Sequence, residues 1–381
     1  MQKRFVPDEG GVFPEWEEVT LGKIAEFSRG KGLTKKDVTE NGKKKCLLYG
    51  QLQVKYGTII KNVTGMTSAE IKNPVLSKAG DVLISGTISA GLAKASCIKE
   101  DGVIIGGDIN ILRPKEGIDG EFLARVINAN TKKFKRFLEG SVILHLKNEN
   151  IKEVSIRIPK SIEEQRKIAA ALAAYDEMIA VKTAKLEIWQ ECKKRMVKEI
   201  FGRTKRFKDD DGNEFPEWEE KTLGEVCEKI ASGKAINKED DGKYPVYGAT
   251  SKIGYLDKYD YDGEYVVIAR VGSNAGEANL RQGKFNLTDN TLLITHGNKI
   301  VPQFLCYALL ISPIKKMAMG SAQKLVTGKQ LKGLEIQLPC IEEQQKIGSF
   351  LAEIDKEIQI QKEFIKTYAE GKTRMMKELM E

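Results

Sequence analysis

One block of this sequence occurs twice. Phe13-Pro14-Glu15-Trp16-Glu17-Glu18 returns as Phe215-Pro216-Glu217-Trp218-Glu219-Glu220, and Thr20-Leu21-Gly22 returns as Thr222-Leu223-Gly224, both at an offset of 202. A second pair follows in the same order. Pro159 with Ile162-Glu163-Glu164-Gln165-Arg166-Lys167-Ile168 matches Pro339 with Ile341-Glu342-Glu343-Gln344-Gln345-Lys346-Ile347, now at an offset of 179. The fall from 202 to 179 gives the first copy 23 extra residues between the anchors. Matching blocks in matching order, around interiors that do not match, indicate one ancestral unit used twice. A chain of 381 residues is too long for one ordinary core and suits two domains.

Within each unit the periodicity changes once. Strand-like runs such as Asp81-Val82-Leu83-Ile84-Ser85, Val103-Ile104-Ile105, Tyr265-Val266-Val267-Ile268 and Thr291-Leu292-Leu293-Ile294-Thr295 alternate with Gly and Asn punctuation. Short helices are predicted over 121–138 and 302–319. Both copies therefore read as mixed α+β domains. From 161 to 201 the pattern turns helical. Ile168, Leu172, Tyr175, Ile179, Lys182, Leu186, Trp189, Lys193, Met196 and Ile200 form a seam at spacings of four and three. Adding 179 to each gives Ile347, Leu351, Ile354, Ile358, Gln361, Ile365, Tyr368, Lys372, Met375 and Leu379, with polar breaks at the same two places. Two matching seams are expected to bury against each other as an antiparallel coiled coil. Ala169-Ala170-Ala171 and Gly348-Ser349 would let the backbones approach. The predicted order is a globular domain over 1–159, a helix over 160–205, a second globular domain over 206–340 and a second helix over 341–381. Antiparallel pairing would also bring the termini together, so a circular permutant is expected to fold.

Composition removes several function classes. No apolar run approaches the roughly 18 residues of a membrane span. The Met1–Asp8 segment lacks the apolar stretch of a signal peptide, so a cytoplasmic chain is expected. Six scattered cysteines and two histidines, His145 and His296, show no metal-ligand spacing. No Pro-Pro occurs, which removes the Asn/Asp-Pro-Pro-aromatic segment of a DNA methyltransferase. The Gly371-Lys372-Thr373 triplet has Lys366 where a phosphate-binding loop needs glycine. A nuclease assembled from Asp81, Glu70 and Lys72 would rest on a spacing that chance supplies readily. No catalysis is expected of the chain itself.

With these motifs in place, the sequence resembles the specificity subunit of a type I restriction–modification enzyme. The likeness is carried by the two Trp-Glu-Glu-x-Thr-Leu-Gly segments and the two Ile-Glu-Glu-Gln-x-Lys-Ile helix starts. It also includes Tyr244-Pro245-Val246-Tyr247-Gly248, and Gly80-Asp81-Val82-Leu83-Ile84 with its counterpart Gly263-Glu264-Tyr265-Val266-Val267. It covers essentially the whole chain. The resemblance implies two target-recognition domains, each reading half of a split DNA target, with the helices as spacer and docking surface. It implies two modification (methyltransferase) subunits that carry S-adenosylmethionine and methylate adenine, and restriction/translocase subunits that join them. No cofactor is implied in this chain. Independently, a seam of 33 residues spans about 50 Å, against roughly 34–36 Å per turn of B-DNA. Half-site centres about 10 base pairs apart follow. A coiled-coil scaffold that binds proteins without reading sequence is the alternative.

Charge narrows the contact residues. The net charge is +8, made of +7 over 1–159, +6 over 160–208, −3 over 209–340 and −2 over 341–381. In the first domain Lys35, Lys36, Lys43, Lys44, Lys45, Lys132, Lys133, Lys135 and Arg136 are the phosphate candidates. In the second, no acidic residue lies between Asp289 and Glu335, whereas Lys299, Lys315, Lys316, Lys324, Lys329 and Lys332 do. Base reading needs polar groups beside glycines that let the backbone approach. Ser85-Gly86-Thr87 and Arg270-Val271-Gly272-Ser273-Asn274 fit, and Arg270 suits guanine. A second pair of segments runs from Gly140 to Lys147, with His145 as a structural or DNA-contacting imidazole, and from Gly320 to Lys324, with Gln323. Tyr247 is included through the family pattern.

Overall fold

The computed structural model describes residues 5–88, 94–137, 144–317 and 325–380, with the backbone alone at Ile88 and Met380. The chain divides into two compact units: Met1–Val181 with Ile365–Glu381, and Lys182–Phe364. In the first unit a five-stranded sheet runs in the order Ala25–Arg29, Ile109–Pro114, Val82–Ser85, Ala95–Ile98, Ile59–Ile60, antiparallel except for its last pair. In the second, a six-stranded sheet runs Cys227–Ser232, Thr291–His296, Tyr261–Ala269, Ala278–Leu287, Tyr244–Tyr247, Lys252–Leu256. The first four strands correspond one to one. So do the flanking ladders, Glu17–Thr20 with Ser155–Ile158 and Glu219–Thr222 with Glu335–Leu338.

Strand register corrects the pairing read from sequence, which set Val82 against Tyr265. Ser85 lies opposite Ile109, whose carbonyl accepts from the Gly30 amide; Ala269 lies opposite Thr291, whose carbonyl accepts from the Gly233 amide. Val82 and Ile84 therefore match Val266 and Ile268, one residue further on. Both pairs face the helices in the main cores, and a one-residue slip would turn each strand inside out. The same comparison locates the extra length. The chain has 51 residues between Gly30 and Val82 but only 32 between Gly233 and Val266, so 19 of the 23 sit there.

The predicted domain helices are shorter than expected. The first runs Gly120–Ala129 and breaks at Asn130; the second runs Pro302–Ile311. There Pro313 forces Ser312 into extended backbone (ψ 160°). Both long helices, Ile162–Phe201 and Ile341–Met380, are continuous over 40 residues.

The doubled motifs are joints between helix and domain. Trp16 donates its indole N–H to Glu164 at 3.1 Å, and Trp218 donates to Glu343 at 2.9 Å. Gln165 donates to the carbonyls of Gly117 and Pro159 and accepts from the Asp119 amide; Gln344 does the same with Lys299, Pro339 and Val301. Lys167 pairs with Asp8 and Lys346 with Asp210, again at offsets of 179 and 202. Buried polar side chains must be satisfied, and here each satisfies a loop of its own domain.

In each unit the long helices meet antiparallel. In the first, Tyr175 lies edge-on to Tyr368 (6.4 Å), Asp176 pairs with Lys372, and Ile168 and Leu172 share a core with Met375 and Leu379. In the second, Lys182 stands over Phe364 and Lys193 pairs with Asp355 at 2.6 Å, while Trp189 and Met196 join Ile347, Leu351 and Ile354. The polar breaks at Lys193 and Lys372 are thus filled by equivalent aspartates, a device that fixes register. Gly348 does not serve helix pairing: a Cβ there would meet Gln303 and Phe304 of its own domain at 3.0 and 3.2 Å. Gly371 does, because a Cβ there would meet the Tyr175 ring at 3.0 Å. Near the chain ends, Phe5 and Leu379 line one core.

Candidate nucleic-acid interface

At one end of each sheet the two segment sets chosen from sequence come together. In the first unit Thr87 pairs with His145, and the Leu146 amide donates to the Gly86 carbonyl at 2.9 Å. In the second, Val271 bridges Leu325, and the Val326 amide donates to the Arg270 carbonyl at 2.9 Å. Gly86 and Arg270 hold the same place, as do Leu146 and Val326. A short helix follows each bridge, Asn148–Lys152 and Gly328–Lys332. Asn110 fastens the first bridge by donating to the Leu146 carbonyl at 2.8 Å, and Asn148 donates to Ser28 at 3.0 Å. The chain has folded one strand-end motif twice and placed polar residues on it each time.

The individual candidates fare differently. His145 and Lys147 are exposed beside Thr87. Ser85 is not: it is 2% exposed and its hydroxyl donates to the Thr87 carbonyl, so it shapes the turn rather than facing a ligand. Lys43 and Lys44 are exposed, whereas Lys45, only half-exposed, pairs with Glu100 and donates to Asn62 at 2.8 Å. Lys133 donates to the Ser155 carbonyl in the flanking ladder, and Arg136 lies 4.7 Å from the Phe137 ring; both are exposed. In the second unit Arg270 is half-buried and donates to the Asp289 carbonyl at 3.3 Å. Its Nε is buried with no partner among the described residues. Ser273 and Asn274 are exposed at the tip of a turn that needs positive φ at Gly272 and Gly276. Lys329 is exposed on the helix after the bridge. Gln323 and Lys324 lie outside the described residues. Tyr247 is part of an aromatic cluster, edge-on to Phe285 at 6.0 Å.

Three residues were missed. Gln53 donates to the Thr87 carbonyl at 2.7 Å. Arg281 lies 4.3 Å over the Tyr247 ring, and its Nε and the Nδ2 of Asn279 are buried donors without partners among the described residues. Nothing in the sequence marked these, because they depend on which strands become neighbours. Asp81, the best of the scattered carboxylates, is buried against Arg113 at 2.7 and 2.8 Å. It serves the fold. Among the described residues no cluster of metal-ligating side chains is present, and no helix is long and apolar enough to cross a membrane.

A family model for the type I restriction modification DNA specificity domain matches residues 14–188 and 216–367. The chain belongs to that family. The type I restriction enzyme MjaVIII specificity subunit of Methanocaldococcus jannaschii is 23% identical over 426 aligned positions, covering 100% of this chain and 95% of that one. S.MpnORF285P of Mycoplasma pneumoniae is 33% identical over 144 residues, 35% of this chain and 47% of that one, so this chain matches about half of that relative's length. The crystal structure of the type I restriction-modification system S subunit from M. genitalium shares the fold, with a TM-score of 0.72 over 96% of each chain at 18% identity. Membership gives this specificity chain a role in recognition rather than catalysis. The two matched spans fall on the two copies of the repeat, each with its own sheet-end bridge.

Proposed function

We propose that this specificity chain reads a split target in duplex DNA, one half-site per globular domain, with 1–159 and 206–340 as the reading domains. The observation that carries this is the repeated sheet-end bridge, Thr87 with His145 and Val271 with Leu325. A motif built once would read one block; built twice, on domains tied to the same pair of helices, it reads two. Exposed lysines near each bridge supply sequence-independent hold on phosphates, and side chains at the bridge supply discrimination. The chemistry is delegated. Two modification subunits, carrying S-adenosylmethionine, would dock on the helices and methylate an adenine, and restriction/translocase subunits would join for cleavage. Such a role places the chain in the cytoplasm.

The test is to purify the full chain with its modification subunits and sequence the methylated positions left in host DNA. Two short constant blocks separated by a fixed, unread gap of about half to one helical turn are expected. One uninterrupted block would refute the split reading. Absence of salt-dependent retention of DNA would instead favour a scaffold that touches proteins alone.

A further inference from the structure

We propose that the outer face of the helix Tyr49–Val54, formed by Gly50 and Val54, contacts duplex DNA and helps set the first domain's base preference. This rests on the reading above and adds a contact surface that the second domain lacks. The helix belongs to the 19-residue excess of the first copy. Leu52 anchors it, buried in the core formed with Leu83 and Tyr56. Gln53 ties it to the sheet-end bridge by donating to the carbonyl of Thr87, the residue paired with His145. Two positions from Leu52 on either side, Gly50 and Val54 point the opposite way, four residues apart on one helix face.

That face does nothing for the fold. Val54 is 90% exposed, and a Cβ built at Gly50 would meet nothing within 4 Å. Tyr49 beside them is 40% exposed. An apolar side chain and a bare glycine, next to a bridge of polar groups, suit close approach of a base edge or sugar; valine methyls match the thymine methyl. Charge identifies the partner as a polyanion. Between Glu40 and Glu70 the chain carries five lysines and no carboxylate. Four of them, Lys43, Lys44, Lys55 and Lys61, are exposed, and only Lys45 is neutralised by Glu100. Over the whole excess region, residues 31–81 carry ten basic and four acidic groups, a net +6. The matching residues 234–265 carry five and seven, a net −2.

The experiment uses the full chain with its modification subunits and a pool of duplexes holding a random window of about 30 base pairs, three turns of B-DNA. Retained duplexes are sequenced. The unsubstituted complex should return two blocks. Val54→Asp and Gly50→Glu should each erase or change one block, leave the other intact, and weaken retention of the original duplex about tenfold, the scale of one lost base contact. Both substitutions fall on a face without contacts, so thermal midpoints should not move; this separates a lost contact from a lost fold. Two unchanged blocks with unchanged retention would overturn the inference and leave the split reading standing. Equal loss of both blocks would also overturn it. No blocks from the unsubstituted complex would overturn both.

Discussion

The two units share a frame and differ on one face of the sheet. On the face toward the helices the cores match: Val82, Ile84 and Leu112 in one, Val266, Ile268 and Ile294 in the other. On the opposite face the first unit buries an aliphatic layer of Leu47, Leu52, Ile60, Leu83, Ile98 and Ile111 under its extra strands and helix. The second has a small aromatic cluster instead, with Phe285 among Tyr247, Tyr261 and Tyr265. Its cations lie over rings: Arg281 on Tyr247, Lys284 on Tyr259, Lys252 on Tyr255. Around its extra helix the first unit exposes Lys43, Lys44, Lys55 and Lys61, whereas the second sets cations over rings around its aromatic cluster. Duplication kept the joint to the long helices and left the other face open to change. That explains how a net-acidic second domain can still offer localised positive groups.

The joint between helix and domain, common to both units, should be the costliest place to cut. Glu343 is fully buried between the Trp218 indole and Arg206. Glu343→Ala should destabilise the second unit by about 3–5 kcal/mol, because it strands a charge and an indole N–H; a chemical-denaturation midpoint that does not move would show the joint is dispensable. Next in size is the difference at the seam aspartates. Arg125, 4% exposed, meets Asp176 at 2.6 Å, where the second unit has Tyr307 on Asp355 at 2.7 Å. Arg125→Ala should cost about 3 kcal/mol and Tyr307→Phe about 1 kcal/mol. Equal costs in the two unfolding transitions would mean the third partner is immaterial.

Arg270→Ala should then cost about 1–3 kcal/mol of DNA affinity and relax one half-site only. Equal loss at both half-sites would remove Arg270 from base reading. Lys43→Ala with Lys44→Ala should weaken binding to all sequences alike and lower the salt slope by about two. The smallest effect is acid sensitivity. Burial pushes the Asp176 carboxyl up, but hydrogen bonds from Lys372 and Arg125 outweigh it and leave the group below its ordinary value of 3.8. A depressed carboxylate contributes stability that is present above that ordinary value and is lost as pH falls through the lowered one. Asp176→Asn should flatten the first unit's stability profile below about pH 4; an unchanged acid limb would assign the loss to other carboxylates.

Much of this was legible because repeats and periodicity are properties of the chain. The seams, their shared polar breaks and the α+β class follow from spacing alone. The adjacency of Gly86-Thr87 with His145 does not, since it depends on which strand ends the fold brings together. Ser85 was misread because exposure is decided by neighbours, and the charge of Lys45 is taken up by Glu100. The offset of 183 between the central strands failed for a related reason. Sequence likeness slides freely by one residue in a run of valines and isoleucines, whereas a sheet cannot slide without exchanging its faces.

The sequence by itself determined that one unit is used twice and that each copy ends in a long helix with an apolar seam. These are local or periodic facts, written in residue order. Only the tertiary structure decided which aspartate fills which lysine break, what the paired tryptophan and glutamate motifs are for, and which lysines remain exposed. Those outcomes depend on contacts between residues 55 to 196 positions apart, and each is settled by whether burial leaves a polar group with a partner.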